Sequence, residues 1–557
     1  MYGELHTSPP VKIIRPRGMP FWPSLLLTSN LAALVLTVVY AALRPQGSWG
    51  WNLYGVLLSA VFAANLGITA FSRGSAKREY GYIAVFIASM LLLMIYNTAA
   101  SALPAYRNGT LWIPALLLLP ATGYGAYLAR RIGIEGFGGP VFQLHSAPSR
   151  ATKLGKSAAV LLFGLILGLG IYAAAEIVTP GGITLAEVFW AEYALFVGWI
   201  VLGSAAVLVK LADTAKRPLL KLSAATAGML VFGVCLLPLL AAPRLVSDAS
   251  EQYMQAFGKT AESVTAPRFR TVPFSLPAYY FGIPSADYEL RENVLFYEGA
   301  AGADQGLRLY FDVYRPRASQ DASPRPVLIR IHGGGWTIGD KGAQNNAQLN
   351  KYFAAQGYVV FDIQYGLSDT AKFVKGSPVP DSRSGSFSID DMVRHIGVFT
   401  RYLADHAAEY GADPKTVFIS GASAGGQLAG AAALGLAGGG YGDLLLDPRL
   451  QVKGLIPFYP ANGLADKLGI PGSPELNDPA LLVQPDSPPV LIYQGTHDGI
   501  VNPAIAGRLR QAYLDAGNRR AALLSMPFGG HGSDYYFASP YTQAFIYYME
   551  RFMLQYR

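Results

Sequence analysis

The chain has 557 residues, 52% of them hydrophobic and only 14% charged, against about 25% charged in an average globular chain. Its net charge of +8 is confined to the first half: residues 1–243 hold seven acidic and 17 basic side chains, residues 244–557 hold 29 and 27. This confinement argues against a nucleic-acid-binding role for the excess basic charge, and a single cysteine, Cys235, excludes an intrachain disulfide framework and a Cys-rich metal site.

From the N-terminus, seven apolar runs follow one another at about 21–43, 49–71, 81–103, 111–129, 157–178, 185–209 and 219–242. Each is near or above the ~20 residues that a helix needs to cross a ~30 Å hydrocarbon core. A set of buried helices in a soluble protein fails on length and number, because soluble helices this long carry a polar stripe, and these do not. The first run is longer than the apolar core of a signal peptide, and six more follow it. Pro114 and Pro120 interrupt the fourth run, which neighbouring helices can tolerate. Cys235 lies inside the seventh and reads as a small buried hydrophobe.

Basic residues between the runs alternate sharply. The N-terminal tail and the second, fourth and sixth connections hold 15 Lys or Arg; the first, third and fifth hold two, Arg44 and Arg107. The positive-inside rule puts the N-terminus in the cytoplasm. Seven spans then place everything after Pro243 outside. Glu176, Glu187 and Glu192 fall near the outer ends of spans five and six. They are expected either to reach headgroup water or to line a polar outer cavity.

Residues 244–290 form a connector, rich in proline and aromatics across Thr271–Ser285. The prolines argue against a long regular element. The aromatics argue for a segment packed on the domain that follows or on the membrane surface, as a possible cap over its site.

From about 291 short β-rich runs alternate with helical patterns, the signature of an α/β domain with a mostly parallel sheet. The predicted strands are Asn293–Glu298, Leu307–Tyr314, Val327–Ile331, Tyr358–Ile363, Thr416–Ser420, Val452–Phe458, Val490–Tyr493 and Ala521–Met526. Helices are predicted at Ile389–Tyr410 and Gln427–Leu436. The domain organisation expected is thus a helical transmembrane bundle (1–243), a connector (244–290) and an α/β catalytic domain (291–557).

Four stretches at predicted strand ends carry chemistry. Gly421-Ala422-Ser423-Ala424-Gly425 lies between a strand and a helix, the setting of a nucleophile elbow. A serine hydroxyl needs an adjacent base, and the base an orienting acid. Gly495-Thr496-His497-Asp498 follows the strand Val490–Tyr493 and offers Asp498 as the acid, with Asp466 and Asp486 as competitors placed less well behind a strand. Gly529-Gly530-His531 follows the last strand and offers His531 as the base, ahead of His497, whose neighbour is the acid itself. His332-Gly333-Gly334-Gly335-Trp336 follows the strand Val327–Ile331. Its backbone amides, with that of Ala424, would bind a developing oxyanion. His332 is expected to orient this loop. The chain order Ser, Asp, His is that of the α/β-hydrolases.

Residues 290–557 resemble the carboxylesterase branch of the α/β-hydrolases, near the hormone-sensitive-lipase-like and the feruloyl- and acetyl-xylan-esterase-like groups. The matching residues are His332-Gly-Gly-Gly-Trp336 with Gly339-Asp-Lys341, Gly357-Tyr-Val-Val360, Tyr410-Gly-Ala-Asp-Pro414, Gly421-Ala-Ser-Ala-Gly-Gly426, Gly495-Thr-His-Asp498 with Val501, and Gly530-His-Gly532. The resemblance implies an α/β-hydrolase fold, Ser423 as nucleophile, His531 as general base, Asp498 as its partner, and Gly334, Gly335 and Ala424 as oxyanion donors. It implies no metal or organic cofactor. The chain departs from the pattern at Gln364-Tyr365-Gly366-Leu367, where such enzymes usually carry Arg after Tyr. Residues 1–243 resemble none of these esterases.

The function expected is a membrane-embedded serine ester hydrolase with its site outside the cytoplasm, with membrane lipids around it and no nucleic-acid partner; its ester substrate is lipid or membrane-linked if the spans do more than anchor, and a soluble short-chain ester if they only anchor. An envelope acyltransferase or a peptidase could use the same triad. A transporter or receptor with an accessory hydrolase-like domain is the reading of a different class.

Overall fold

The computed structural model describes residues 20–44, 48–72, 76–135, 150–212, 218–317, 323–370, 372–377, 379–438 and 446–557. Lys12, Arg15, Arg17, Arg73, Lys216 and Arg217, all counted in the loop-charge asymmetry, lie outside them.

The first part is a bundle of helices: α1 (Phe21–Leu43), α2 (Trp49–Phe71), α3 (Ala76–Ala102), α4 (Trp112–Glu135), α5 (Arg150–Val178), α6 (Trp190–Leu211) and α7 (Pro218–Leu240). Among the described residues, seven helices are long and apolar enough to cross a membrane. Helices α3 and α5 start earlier than their apolar runs, because Lys77, Arg78 and Lys156 continue the helix with long side chains that suit its ends. The fourth helix runs straight through Pro120. Its Pro114 sits in the first turn, where a missing N–H costs nothing. Leu161, Leu165 and Leu169 on α5 and Leu219, Met229 and Leu230 on α7 face outward as an apolar surface. Inside, Asn30 and Asn65 exchange amide hydrogen bonds at 2.9 and 3.1 Å between α1 and α2. Glu79 pairs with Lys210 between α3 and α6.

The connector departs from expectation at its start. Helix α8 (Ala242–Phe257) is a regular element of 16 residues, because the prolines cluster after it, and Pro243 sits in its first turn. It packs on the C-terminal helix: Phe257 lies against Phe552 with ring centres 5.1 Å apart, and the Tyr548 hydroxyl donates to the Val246 carbonyl at 3.1 Å. The aromatic stretch then turns into the bundle as α9 (Leu276–Phe281), every residue buried. Phe281 meets Tyr40 of α1 at 4.6 Å, and Asn97 of α3 donates to the Tyr280 carbonyl at 3.0 Å.

The α/β part follows in the order β1 (Tyr288–Glu298), β2 (Arg308–Pro316), β3 (Arg325–Ile331), α10 (Ala347–Ala355), β4 (Val359–Ile363), the short pair β5 (Leu367–Ser368) and β6 (Ser384–Gly385), α11 (Ile389–Tyr410), β7 (Ala412–Ala422), α12 (Ala424–Gly438), β8 (Val452–Phe458), the single turn α13 (Pro474–Asn477), β9 (Val490–Gly495), α14 (Ala504–Asp515), β10 (Ala521–Met526) and α15 (Pro540–Tyr556). Eight strands form one sheet in the order β1-β2-β4-β3-β7-β8-β9-β10. Strand β2 pairs antiparallel with β1 and β4; the rest is parallel. This is the mostly parallel, α/β-hydrolase-like sheet that the continuous apolar strands called for. Helix α11 opens on a capping box between Ser388 and Asp391 and closes on Gly411 in the left-handed region.

The sheet does not hang free of the bundle. One hydrophobic cluster runs from Phe62, Phe86 and Trp199 through Tyr279–Phe281 to Tyr358, Phe418 and Phe545. Tyr536 stacks on Tyr193 at 5.0 Å and accepts a hydrogen bond from Asn97 at 3.1 Å. Lys351 on α10 donates its ammonium to the carbonyls of Ala100 (2.7 Å), Leu103 (3.0 Å) and Tyr106 (3.3 Å), at and just beyond the end of α3.

Candidate active site

Ser423 stands between the last residue of β7 and the first of α12, with φ at +56°. A left-handed φ is unfavourable for a residue with a side chain and marks a strained turn. The turn is tight enough to require its glycines. A Cβ on Gly421 would collide with the Gly425 carbonyl, and one on Gly425 with the carbonyls of Ile331 and His332. The Ser423 amide donates to the Phe458 carbonyl on β8 at 2.9 Å, and its carbonyl accepts from Ala461 at 3.2 Å.

The glycine loop after β3 lies directly on this elbow. A Cβ placed on Gly333 would be 3.4 Å from the Ser423 Cβ. Gly334 and Gly335 take φ of +114° and +57°, which turn the loop back on itself. Ala424 is the first residue of α12, where an amide has no acceptor within the helix. The His332 ring is buried, stacks on Tyr365 at 4.4 Å, and places Nδ1 2.9 Å from the Gly333 carbonyl. Burial pushes its pKa down to about 4, so it is a neutral ring that braces the loop. The Gln364–Leu367 segment has its own logic. Gln364 accepts from the Tyr310 amide at 2.9 Å and donates to Asp340 at 2.7 Å. A Cβ on Gly366 would already lie 2.8 Å from the Phe387 ring and from His395, so no larger residue fits after Tyr365.

Strands β9 and β10 run parallel, with Gly495 opposite Met526. Asp498 and His531 lie in the loops that leave these adjacent strand ends. The His531 Nδ1 is 2.9 Å from Asp498 Oδ2. Asp498 also accepts the amides of Ile500 (3.0 Å) and Val501 (2.7 Å) through Oδ1, and the Gln494 side chain at 3.1 Å through Oδ2. A carboxylate held this way only accepts, so Nδ1 of His531 carries the hydrogen and Nε2 is left to take a proton. Both residues are buried, at 3% and 7% exposure. Burial alone would lower the His531 pKa, but the neighbouring Asp498, with smaller contributions from Glu187 and Asp534, holds it above its usual value. The ring packs 4.4 Å from that of Tyr459, next in sequence to Phe458, whose carbonyl holds the Ser423 amide. His497 turns away, with Nδ1 2.9 Å from Thr496 Oγ1 and its ring against Phe528. Asp466 and Asp486 are exposed.

The α5–α6 loop stands over the loops of Asp498 and His531, which no sequence signal foretold. The expectation that Glu176, Glu187 and Glu192 reach headgroup water does not hold: their exposures are 3%, 5% and 0%. Glu176 fastens its own loop by accepting from the Ile183 amide (2.6 Å) and the Thr184 hydroxyl (2.8 Å). Glu187 lies against the loops of Asp498 and His531. Glu192 is enclosed in the first turn of α6, near Tyr279, whose hydroxyl donates to the Glu192 carbonyl at 3.0 Å. Phe528, three residues before His531, packs on the buried cluster that includes Ala174 and Ile177.

The BD-FAE family model matches residues 311–439 of this chain. The esterase LipQ of Mycobacterium tuberculosis is 24% identical over 254 residues, 41% of this chain and 55% of that protein. The probable carboxylic ester hydrolase LipM of the same organism is 24% identical over 261 residues, 42% of this chain and 54% of that protein. The chain therefore spans about half the length of these relatives. A solved structure, Thermogutta terrifontis esterase 2 phosphorylated by paraoxon, is 25% identical and covers 44% of this chain and 84% of its own, with a TM-score of 0.35.

Proposed function

We propose that this chain, whose C-terminal part belongs to the carboxylesterase family of the α/β-hydrolases, is a membrane-embedded serine ester hydrolase. The observation that carries the reading is the His531–Asp498 pair at 2.9 Å, held at the end of the same sheet as a serine on a left-handed elbow between β7 and α12. In this reading Ser423 attacks the ester carbonyl while His531 Nε2 takes the hydroxyl proton. Asp498 fixes the ring and stabilises the imidazolium. The amides of Gly334, Gly335 and Ala424 hold the oxyanion. His531 then returns the proton to the leaving alcohol, and water cleaves the acyl-enzyme by the same steps in reverse order.

Residues 1–243 would span the membrane seven times with the N-terminus in the cytoplasm. Residues 244–290 would connect, and 291–557 would catalyse on the outer side. The 15-to-two asymmetry of loop charges and the outward apolar faces of α5 and α7 support this arrangement. An amphiphilic ester suits the surroundings of the site. Ile183, Leu185 and Phe189 are exposed at 56%, 58% and 54% on the α5–α6 loop and its edge, and Phe189 stacks on Tyr535 at 6.4 Å, four residues from His531.

The test is Ser423→Ala in the full chain. It should abolish ester hydrolysis and labelling by a fluorophosphonate probe. Unchanged labelling of the folded variant would remove Ser423 from the mechanism. An added acceptor alcohol that diverts the acyl group from water would instead favour acyl transfer.

A further inference from the structure

The geometry points to Glu187, in the turn between α5 and α6, as a positioning residue that sets the spacing of His531 and Asp498; this rests on the reading of Ser423, His531 and Asp498 given above. Its carboxylate clasps both loops at once. One oxygen, Oε1, accepts the amide of Gly499, next after Asp498, at 3.0 Å. The other, Oε2, accepts the amide of His531 itself at 3.3 Å. The Gly181 amide of the same turn donates to the His497 carbonyl at 3.2 Å, just before the acid.

This hold falls where the strands no longer pair. Pairing of β9 with β10 ends at Gly495 and Met526. Asp498 and His531 lie three and five residues further on; past the ladder the two loops are joined by the Thr496 amide to the Met526 carbonyl at 3.0 Å and the His497 amide to the Gly529 carbonyl at 2.9 Å, and Glu187 adds a hold next to Asp498 and on His531 itself. The turn that reaches them is itself rigid. Thr184 caps the short helix Leu185–Phe189 by accepting the Ala186 amide, and Glu176 ties down Ile183 and Thr184. The fit is close enough to dictate sequence on the other side. A Cβ on Gly499 would strike the Gly181 carbonyl, and one on Gly530 would strike the Glu187 carboxylate. A segment joining two apolar helices thereby becomes a wall of the catalytic centre, and the bundle is more than an anchor.

Glutamine at 187 would keep one acceptor and turn an NH2 toward a second amide donor; alanine would remove both acceptors. In the full-length protein in detergent, with a chromogenic short-chain ester, Glu187→Gln should lower kcat about tenfold and Glu187→Ala about a hundredfold, since misplacement by ~1 Å costs that much. KM should stay within about twofold. The rate of Ser423 phosphonylation by a fluorophosphonate, per folded molecule, should fall by the same factor as kcat. An unchanged kcat in folded Glu187→Gln overturns the assignment, even if the alanine variant does not fold. So does a loss of activity that only tracks a loss of folded protein, with full phosphonylation rate in the remainder. Ser423→Ala run alongside separates the two failures: persistent hydrolysis there overturns the triad reading, whereas its abolition with intact Glu187 variants overturns the role of Glu187 alone.

Discussion

The indole Nε1 of Trp199, midway along α6, donates a 2.9 Å hydrogen bond to the phenol oxygen of Tyr280 in the connector. The same hydroxyl lies 3.0 Å from the Ser59 hydroxyl on α2. Tyr280 is fully buried and Trp199 nearly so. The connector is thus locked into the helices by buried polar atoms, and the α/β part is seated on the bundle rather than tethered to it.

Tyr280→Phe keeps the ring and deletes the acceptor. It leaves the Trp199 N–H buried without a partner, which costs about 1–3 kcal/mol. The variant should unfold at a lower temperature in detergent, by several degrees, as followed by tryptophan fluorescence. An unchanged midpoint would show that the bond contributes nothing.

Lys351 joins α10 to the carbonyls beyond α3. An amine near helix-terminal carbonyls gains from hydrogen bonding and, in its charged form, from the helix dipole, although burial pushes the Lys351 pKa down to about 7. Lys351→Met should destabilise the full chain by about 2 kcal/mol, while activity at low temperature is kept. Thermal inactivation curves measure this; a variant as heat-resistant as the parent contradicts it.

The pH profile of kcat/KM reports the base. In the proposed mechanism His531 acts in its neutral form, so activity is expected to fall as pH drops through its pKa. Asp498, Glu187 and Asp534 raise that pKa over the opposing effect of burial, so the acid limb should have its midpoint above 6.5, the ordinary value. Asp498→Asn should move the limb downward and cut the optimum rate by about 10⁴-fold. A limb that stays in place after that substitution would show that Asp498 does not set the His531 pKa.

Orientation can be read with cysteines. Lys415 is exposed on the α/β part and Lys156 is exposed on α5, on the side counted as basic. In intact cells a membrane-impermeant maleimide should label Lys415→Cys but label Lys156→Cys only after permeabilisation. The native Cys235 is buried and should give little background. The opposite pattern would invert the topology.

The sequence alone determined what is local. Apolar runs of fixed length marked seven helices, continuous apolar segments marked the strands, and small residues at strand ends marked the elbow and the loops of Asp498 and His531. Such signals repeat along the chain with the period of the structure they form. Only the tertiary structure decided how the parts meet. Glu187 reaches Gly499 and His531 across 312 and 344 residues, and Lys351 reaches Ala100 across 251. Helix α8 went unseen because the prolines that follow it masked a pattern that its contact with α15 completes. A lone glutamate at a span end carries no mark of its partner, because the donor it finds is a backbone amide, which every residue but proline presents alike.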